Sequence, residues 1–407
     1  MGMFLYRIGS RIFPNLVRLA APFNRRAKKL IESRKQSIEI PPKGSGETRL
    51  WVHAASLGEF EQARPVLEEL KKFIPGLTIA CSFFSPSGYE ILKNDSLIDF
   101  SCYLPFESKS NADVLVQKIS PDFVLWVKYE FWLDYLQAIH RFKIPSFLIA
   151  ASFQANQRYF GLMGGPYIQA FKNFKLIFTQ TKESTRLLQK SGIQNSIHTG
   201  DPRFDRVIRG SKSPKTSDLI QKFKGNKKLL ILGSSYAWEE EMVAKVLASF
   251  PELKVLIVPH FIDEENILRI EKLFPGCSRF SESNPQMEFS NTMVLNKIGW
   301  LSGAYQYADA ALIGGGSKKK GLHNVLEPAV FGLPLAFGRK ISYFPETKEL
   351  LESGQADLIS SPEEVKHWLD KSLSAASTEM RKQWKLGIQQ KEGIAHEIAK
   401  RIYEALK

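Results

Sequence analysis

Cysteine is scarce in this chain. Cys81, Cys102 and Cys277 are the only three in 407 residues, widely spaced and without a C-x-x-C pair. Neither a disulfide framework nor a zinc site is supported, and a reducing, cytoplasmic setting is expected. No D-x-D triplet or histidine–carboxylate cluster is available for a metal, so none is expected. An unbroken run of about 20 apolar residues is also missing, which argues against a membrane-spanning helix. So is the apolar core leading to a small-residue cleavage site that marks a signal peptide. No internal repeat or low-complexity segment stands out.

Acidic residues are nearly absent from one region. Residues 1–36 hold nine basic groups against Glu32 alone, a large share of the net charge of +14. The rest of the chain is only mildly basic and its aromatics do not interleave with a basic stripe, so no nucleic-acid partner is expected. Leu5, Ile8, Ile12, Leu16, Leu19 and Phe23 recur at helical spacing, with Arg7, Arg11 and Arg18 off the stripe's centre and Pro14 expected to bend the helix. This describes a basic amphipathic helix lying in the plane of an anionic cytoplasmic leaflet. A helix docked on the protein's own body is the competing reading.

What is present in quantity is alternation. Leu50–Ala54, Leu77–Cys81, Phe123–Val127, Ser146–Ala150 and Leu176–Thr179 read as strands separated by helical stretches. A polar Gly- and Pro-containing segment follows, and the alternation resumes at Lys228–Gly233 and Lys254–His260. The expected fold class is α/β with two Rossmann-like domains facing a central cleft. The expected limits are 1–36 for the membrane helix, 37–208 for the first domain, 209–225 for a linker and 226–407 for the second. Ligands of such sheets gather at the carboxyl ends of strands.

One strand, Ala311–Ile313, runs into Gly314, Gly315, Gly316 and Ser317, and Asn324-Val325-Leu326-Glu327 then opens a short helix. Glycines let a ligand approach bare backbone, and a helix start offers N–H groups to an anion. Glu327 is placed to accept from ribose hydroxyls. A P-loop does not fit, because Leu322 and His323 stand where Lys and Ser/Thr are required, and Lys319 replaces the third glycine of a dinucleotide fingerprint. A tight strand-to-helix turn with no ligand remains the alternative. In the first half, Ser56, Gly58 and Glu59 follow a strand end. A carboxylate there can take a proton from a hydroxyl, or simply partner a helix dipole, as Glu61 is expected to do.

Eight ordered motifs carry a resemblance: Ser56-x-Gly58-Glu59, Ser85-Pro86-Ser87-Gly88, Tyr129-Glu130-x-Trp132, Gly200-Asp201-x-Arg203-Phe204-Asp205, Gly233-Ser234-Ser235, Pro259-His260, Gly315-Gly316-Ser317 and His323-Asn324-x-x-Glu327. Together they resemble the 3-deoxy-D-manno-octulosonic acid (Kdo) transferases, over nearly the whole chain. The resemblance implies an inverting GT-B glycosyltransferase that moves Kdo from CMP-Kdo to the lipid A precursor (lipid IVA), with no cofactor and no metal. It implies Glu59 as general base, with Glu130 and Arg203 stabilising the transition state. It assigns the nucleotide to Ser234, Ser235, Pro259, His260, Ile298, Gly299, Trp300, Gly315, Gly316, Ser317, Asn324, Val325, Leu326 and Glu327. The acceptor falls to Ser56, Gly58, Ser85, Ser87 and Gly88. Three departures stand out: Pro259 and His260 are adjacent where many members insert an arginine, Leu322 replaces a glycine, and Lys318-Lys319-Lys320 is an unusual basic run. A GT-B enzyme using another nucleotide sugar and a catalytically silent nucleotide-binding membrane protein are the alternatives.

Overall fold

Residues 2–35, 39–128, 130–317, 321–341 and 344–407 are described by a computed structural model. Tyr129 and Lys318–Lys320 lie outside them. The chain divides into two units, one of residues 1–205 with 393–407 and one of residues 206–392.

The first unit is built on seven parallel strands: β1 (Arg49–His53), β2 (Thr78–Phe83), β3 (Phe100–Tyr103), β4 (Phe123–Val127), β5 (Ser146–Ala151), β6 (Leu176–Thr179) and β7 (Ser196–His198). Their order is β3-β2-β1-β4-β5-β6-β7. Both faces are covered, so the central strands are continuous apolar runs rather than alternating ones. The period of two still sorts them. Leu50, Val52, Leu125 and Val127 enter one core layer, while Trp51, Val124, Trp126 and Leu148 enter the other.

The second unit repeats the plan with β8 (Leu229–Ser235), β9 (Lys254–Pro259), β10 (Ser278–Arg279), β11 (Thr292–Val294), β12 (Ala310–Ile313), β13 (Leu335–Gly338) and β14 (Ala356–Ile359), in the order β10-β11-β9-β8-β12-β13-β14. All pairings are parallel. In each sheet the winding reverses once, between β1 and β4 and between β8 and β12. Ligands of open parallel sheets bind at such reversals.

The amino-terminal segment forms α1 (Gly2–Ala20) and α2 (Arg25–Ser33), and α1 runs on through Pro14. The two sides of α1 differ. Met3 and Tyr6 pack on the first unit's core. The Tyr6 hydroxyl donates to Glu107, and Arg7 donates to Asp134 at 2.9 Å. The predicted apolar stripe faces away and is uncovered, with Leu16 57%, Leu19 72% and Phe23 93% exposed. Among the described residues no helix is long and apolar enough to cross a membrane.

Two expected limits differ. Residues 209–225, expected as a linker, fall within the second unit, and Arg203–Lys212 and Asp218–Lys224 are helices. The carboxy-terminal helix Ile394–Leu406 belongs to the first unit, not the second. Its apolar face of Ala395, Ile398, Ala399 and Ile402 is buried in the same layer as Ala63, Val66 and Leu70 of α3 (Leu57–Phe73). Asp205 fixes its start by accepting from Gly393 N at 2.6 Å and Ala395 N at 2.8 Å. Unpaired N–H groups at a helix start are what such a carboxylate satisfies.

Candidate functional site

Glu59 lies in the first turn of α3, directly after β1. Its Oε2 accepts from Ala55 N at 2.5 Å, so it does serve its own helix start. Burial, followed by the charge of Glu130, pushes its carboxyl up to about 7, against the pull of the Ala55 amide and Lys128. A carboxylate poised there is matched to proton abstraction near neutral pH. Glu130, after β4, is also raised by burial, opposed by Trp132 and Arg34. Its Oε2 accepts from Trp132 Nε1 at 3.2 Å, and its carbonyl from Trp126 Nε1 at 2.7 Å. Lys128, whose field Glu59 feels, is buried and held at φ +65°, a left-handed conformation a lysine seldom adopts. Backbone strain of this kind concentrates at functional sites.

Arg203 opens the helix Arg203–Lys212, and its guanidinium grips Asp201, with Nε 2.9 Å and Nη2 2.5 Å from Oδ2. Burial acts upward on Asp201, yet this pair and the field of Lys128 hold it below the usual carboxylate range. Glu59, Lys128, Glu130, Asp201 and Arg203 therefore form one charged neighbourhood in the first unit. Of the expected acceptor residues, Ser85 Oγ and Ser87 Oγ are 2.7 Å apart, and Ser85 N donates to Ala55 O at 2.7 Å, tying the two loops together. Ser56 is half-buried beside Glu59, and Gly58 faces open space. Gly88 has a packing reason instead: a Cβ there would stand 3.0 Å from Leu57 N.

In the second unit the glycine turn is explained largely by packing. A Cβ on Gly314 would fall 2.1 Å from Ser234 O, and one on Gly316 2.4 Å from Gly338 N. The Gly315 N–H is not bare. It donates to Glu239 Oε1 at 3.1 Å, while Glu239 Oε2 accepts from Tyr236 N at 3.0 Å. Glu239 is fully buried, which raises its carboxyl, and the amides oppose this. Its neighbour Glu240 accepts from Ser235 Oγ at 2.7 Å and pairs with Arg269. Ser234 stands at φ +51°. Tyr236, His260 and His323 then form a ring cluster, with His260–His323 centroids 4.6 Å apart and His323 Nε2 3.0 Å from Tyr236 Oη. Burial, then His260, pushes His323 down to about 4, so its ring is neutral at physiological pH. Pro259 ends β9, and His260 N donates to Ser235 O at 2.9 Å, bringing both nucleotide motifs to this cluster. Ser317 Oγ is buried with no partner among the described residues.

The helix expected at Asn324 is only four residues, Leu326–Ala329, after Val325 at its cap. Asn324 Oδ1 accepts from Leu326 N at 3.1 Å and Asn324 Nδ2 donates to Glu327 Oε1 at 3.0 Å, so one N–H of this helix start is met by the protein itself. Glu327 is raised by burial, against Asn324 and Arg206. It lines a cavity of about 290 Å³ with Arg206, Lys215 and Ser302. Lys215 Nζ sits 3.3 Å from the Trp300 ring centroid, and Ile298 is 85% exposed on the turn at Gly299, which has φ +84°.

Sequence reasoning gave no role to Asp201, Arg206, Lys215 or Tyr236. Nor did it give one to Glu239. The spacing Tyr236-x-x-Glu239 is a capping-box interval, a signal that could have marked it.

Residues 25–206 match the family model described as 3-deoxy-D-manno-octulosonic-acid transferase (kdotransferase). Relatives named 3-deoxy-D-manno-octulosonic acid transferase include one from Haemophilus influenzae, 27% identical over 334 residues covering 78% of this chain and 76% of its own. Another from Aquifex aeolicus is 26% identical over 313 residues, covering 74% and 79%. Over these residues the chain is similar to the Kdo transferases. These are glycosyltransferases, and the fold agrees. MurG from Acinetobacter baumannii superposes with a TM-score of 0.57 at 13% identity, covering 88% of this chain and 99% of its own. The UDP-GlcNAc 2-epimerase of Neisseria meningitidis, bound to UDP-GlcNAc, gives 0.60 at 15%, covering 88% and 99%. At these identities the likeness is of fold alone, and that fold is GT-B.

Proposed function

We propose that this chain transfers Kdo from CMP-Kdo to a hydroxyl of the lipid A precursor lipid IVA, with inversion, at the cytoplasmic face of the inner membrane. The observation that carries the reading is the Glu59 carboxyl, held at about 7 beside Glu130 where the first sheet reverses. Glu59 takes the proton from the acceptor hydroxyl. The oxygen bonds to the anomeric carbon from the face opposite CMP, and the bond to the phosphate oxygen breaks with its electron pair leaving on CMP. Positive charge developing on the sugar is met by Glu130, and the leaving phosphate is met by Arg203 and by backbone N–H groups. Because Asp201 holds Arg203 firmly, its charge is delivered from a fixed position.

The second unit supplies the donor residues: the Ser234–Ser235 turn, the His260–His323 pair, the Ser317 Oγ that has no partner among the described residues, and the Glu327 cavity. Support for a peripheral membrane position comes from α1, whose stripe is uncovered on a segment carrying nine basic groups. No metal, cofactor or nucleic acid enters the reading.

The test is direct. The purified chain is incubated with a CMP-Kdo generating system and lipid IVA, and the product is weighed by mass spectrometry. A mass gain of one or more Kdo units is expected, and an unchanged acceptor sinks the assignment. The other reading, a different nucleotide sugar, is separated by melting. CMP is expected to raise the melting temperature at concentrations where UDP does not.

A further inference from the structure

Between the amino-terminal helices and the loop after β2 lies a groove of about 640 Å³. Phe13 and Val17 of α1, Ala27 and Leu30 of α2, and Phe84 and Pro86 of the loop form its apolar walls. Arg26 and Lys29 stand at its rim, and neither makes an ion pair among the described residues. Glu90, the carboxylate that feels Lys29, is itself bonded to Lys93 and Tyr103. We propose that this groove seats one acyl chain of the phosphorylated acceptor lipid, with Arg26 and Lys29 taking its phosphate. The inference rests on the reading of a lipid acceptor given above.

Three observations favour this occupant. The groove is fixed before any ligand arrives. Arg34 donates to Phe84 O at 2.7 Å and to Leu30 O at 3.2 Å, and its guanidinium lies 4.4 Å from the Phe84 ring centroid. A preformed apolar slot lowers the ordering cost of a flexible chain. The groove also leads to the reactive carboxylates. Phe13 is shared with an adjoining cavity of about 420 Å³ that contains Glu107, Glu130 and Trp132. Phe84 stacks on Trp132 at 4.8 Å, and Trp132 donates to Glu130. A chain lying in the groove would place its sugar head beside Glu130. Finally, apolar walls with two unneutralised cations at one edge match an acyl chain ending at a phosphate, and match a neutral or cationic ligand poorly.

The test uses the full chain in detergent and on vesicles. A phosphorylated, acylated glucosamine disaccharide with a diazirine in one acyl chain is photolysed on the protein, and the labelled residues are read by mass spectrometry. The same experiment is run with a diazirine-bearing phosphatidylglycerol. Label on Phe13, Val17, Leu30 or Phe84 from the first probe and not the second is expected. Equal labelling by both overturns the proposal, because the groove would then be a contact for bulk lipid. In parallel, Val17→Trp and Ala27→Phe fill the slot from opposite walls. Each is expected to raise KM for the acylated acceptor at least tenfold relative to KM for its deacylated head group. The CMP-induced melting shift reports that the variant is folded. A loss of phosphatidylglycerol vesicle binding that accounts for the whole effect also overturns it. Groove labelling without Kdo transfer would sink the Kdo reading and leave this one standing. Kdo transfer with an unlabelled groove and unchanged KM ratios would do the reverse.

Discussion

The two sheets share strand number, parallel direction and a single winding reversal, yet the chemistry at their reversals is opposite. At the first, Glu59 and Glu130 keep raised carboxyls close to one another, and each feels a cation at a distance rather than in a tight pair. At the second, Glu239 and Glu240 are fully buried and committed to the protein's own backbone, a serine and an arginine. What that reversal presents instead is rings and a hydroxyl without a partner among the described residues. In the function proposed above, that difference gives one end the proton transfer and the other the donor.

The largest expected effect breaks the first half of that comparison. Glu59→Gln keeps an acceptor for the Ala55 N–H but cannot take a proton, so kcat is expected to fall by about 10²–10⁴, with the CMP-induced melting shift intact. Retained activity in a steady-state assay would show that Glu59 is only a helix partner. Next comes Glu239→Gln. Both carboxylate oxygens accept from backbone N–H groups, and an amide can accept with only one end, leaving an N–H facing an NH₂. A loss of about 1–3 kcal/mol is expected for an unsatisfied buried donor, read by denaturant unfolding, together with weaker CMP binding by titration. Weaker CMP binding without lost stability would instead make Glu239 a direct ligand.

Much of this was legible in the residues because parallel strands buried on both faces leave uninterrupted apolar runs: Phe123–Val127 and Leu176–Thr179 have the strand limits expected of them. The short edge strands Phe100–Tyr103 and Ser278–Arg279 were not, since two to four residues of mixed polarity carry no period. The return of Ile394–Leu406 to the first unit was invisible for a different reason. Its apolar stripe says that it packs, and only three-dimensional complementarity with α3 says on what. At the site, strand-end motifs located the residues, but their partners could not be read. Glycines that look like a ligand's approach are in part glycines demanded by Ser234 and Gly338 backbone.

A smaller effect sharpens the contrast through pH. Glu59 must be ionised to act as a base and its carboxyl sits near 7, so kcat/KM is expected to rise about tenfold per unit below that value and level off above it. The stability sign is opposite. A carboxyl raised in the folded state favours folding while it is neutral, and that contribution disappears as pH climbs through about 7. Glu59→Gln should therefore be more stable than the parent by about 1–2 kcal/mol at pH 8, with the gap closing below pH 5. A pH-independent gap would place the origin of the shift elsewhere.

The smallest effect concerns strain. Lys128 just after β4 and Ser234 at the carboxyl end of β8 both hold positive φ, one at each reversal. Lys128 is buried and lends its field to Glu59 and Asp201, so its replacement mixes strain with charge. Ser234 is cleaner, because glycine adopts φ +51° without a Cβ clash. Ser234→Gly relieves the folded state but gives the unfolded chain more freedom, and the two nearly offset, leaving a gain of at most about 1 kcal/mol. The informative readout is CMP affinity. If the hydroxyl touches the nucleotide, affinity falls at unchanged or higher melting temperature. If both stay level, the strain is a consequence of joining β8 to the Tyr236 turn, and the donor contacts lie on His260, Ser317 and Glu327.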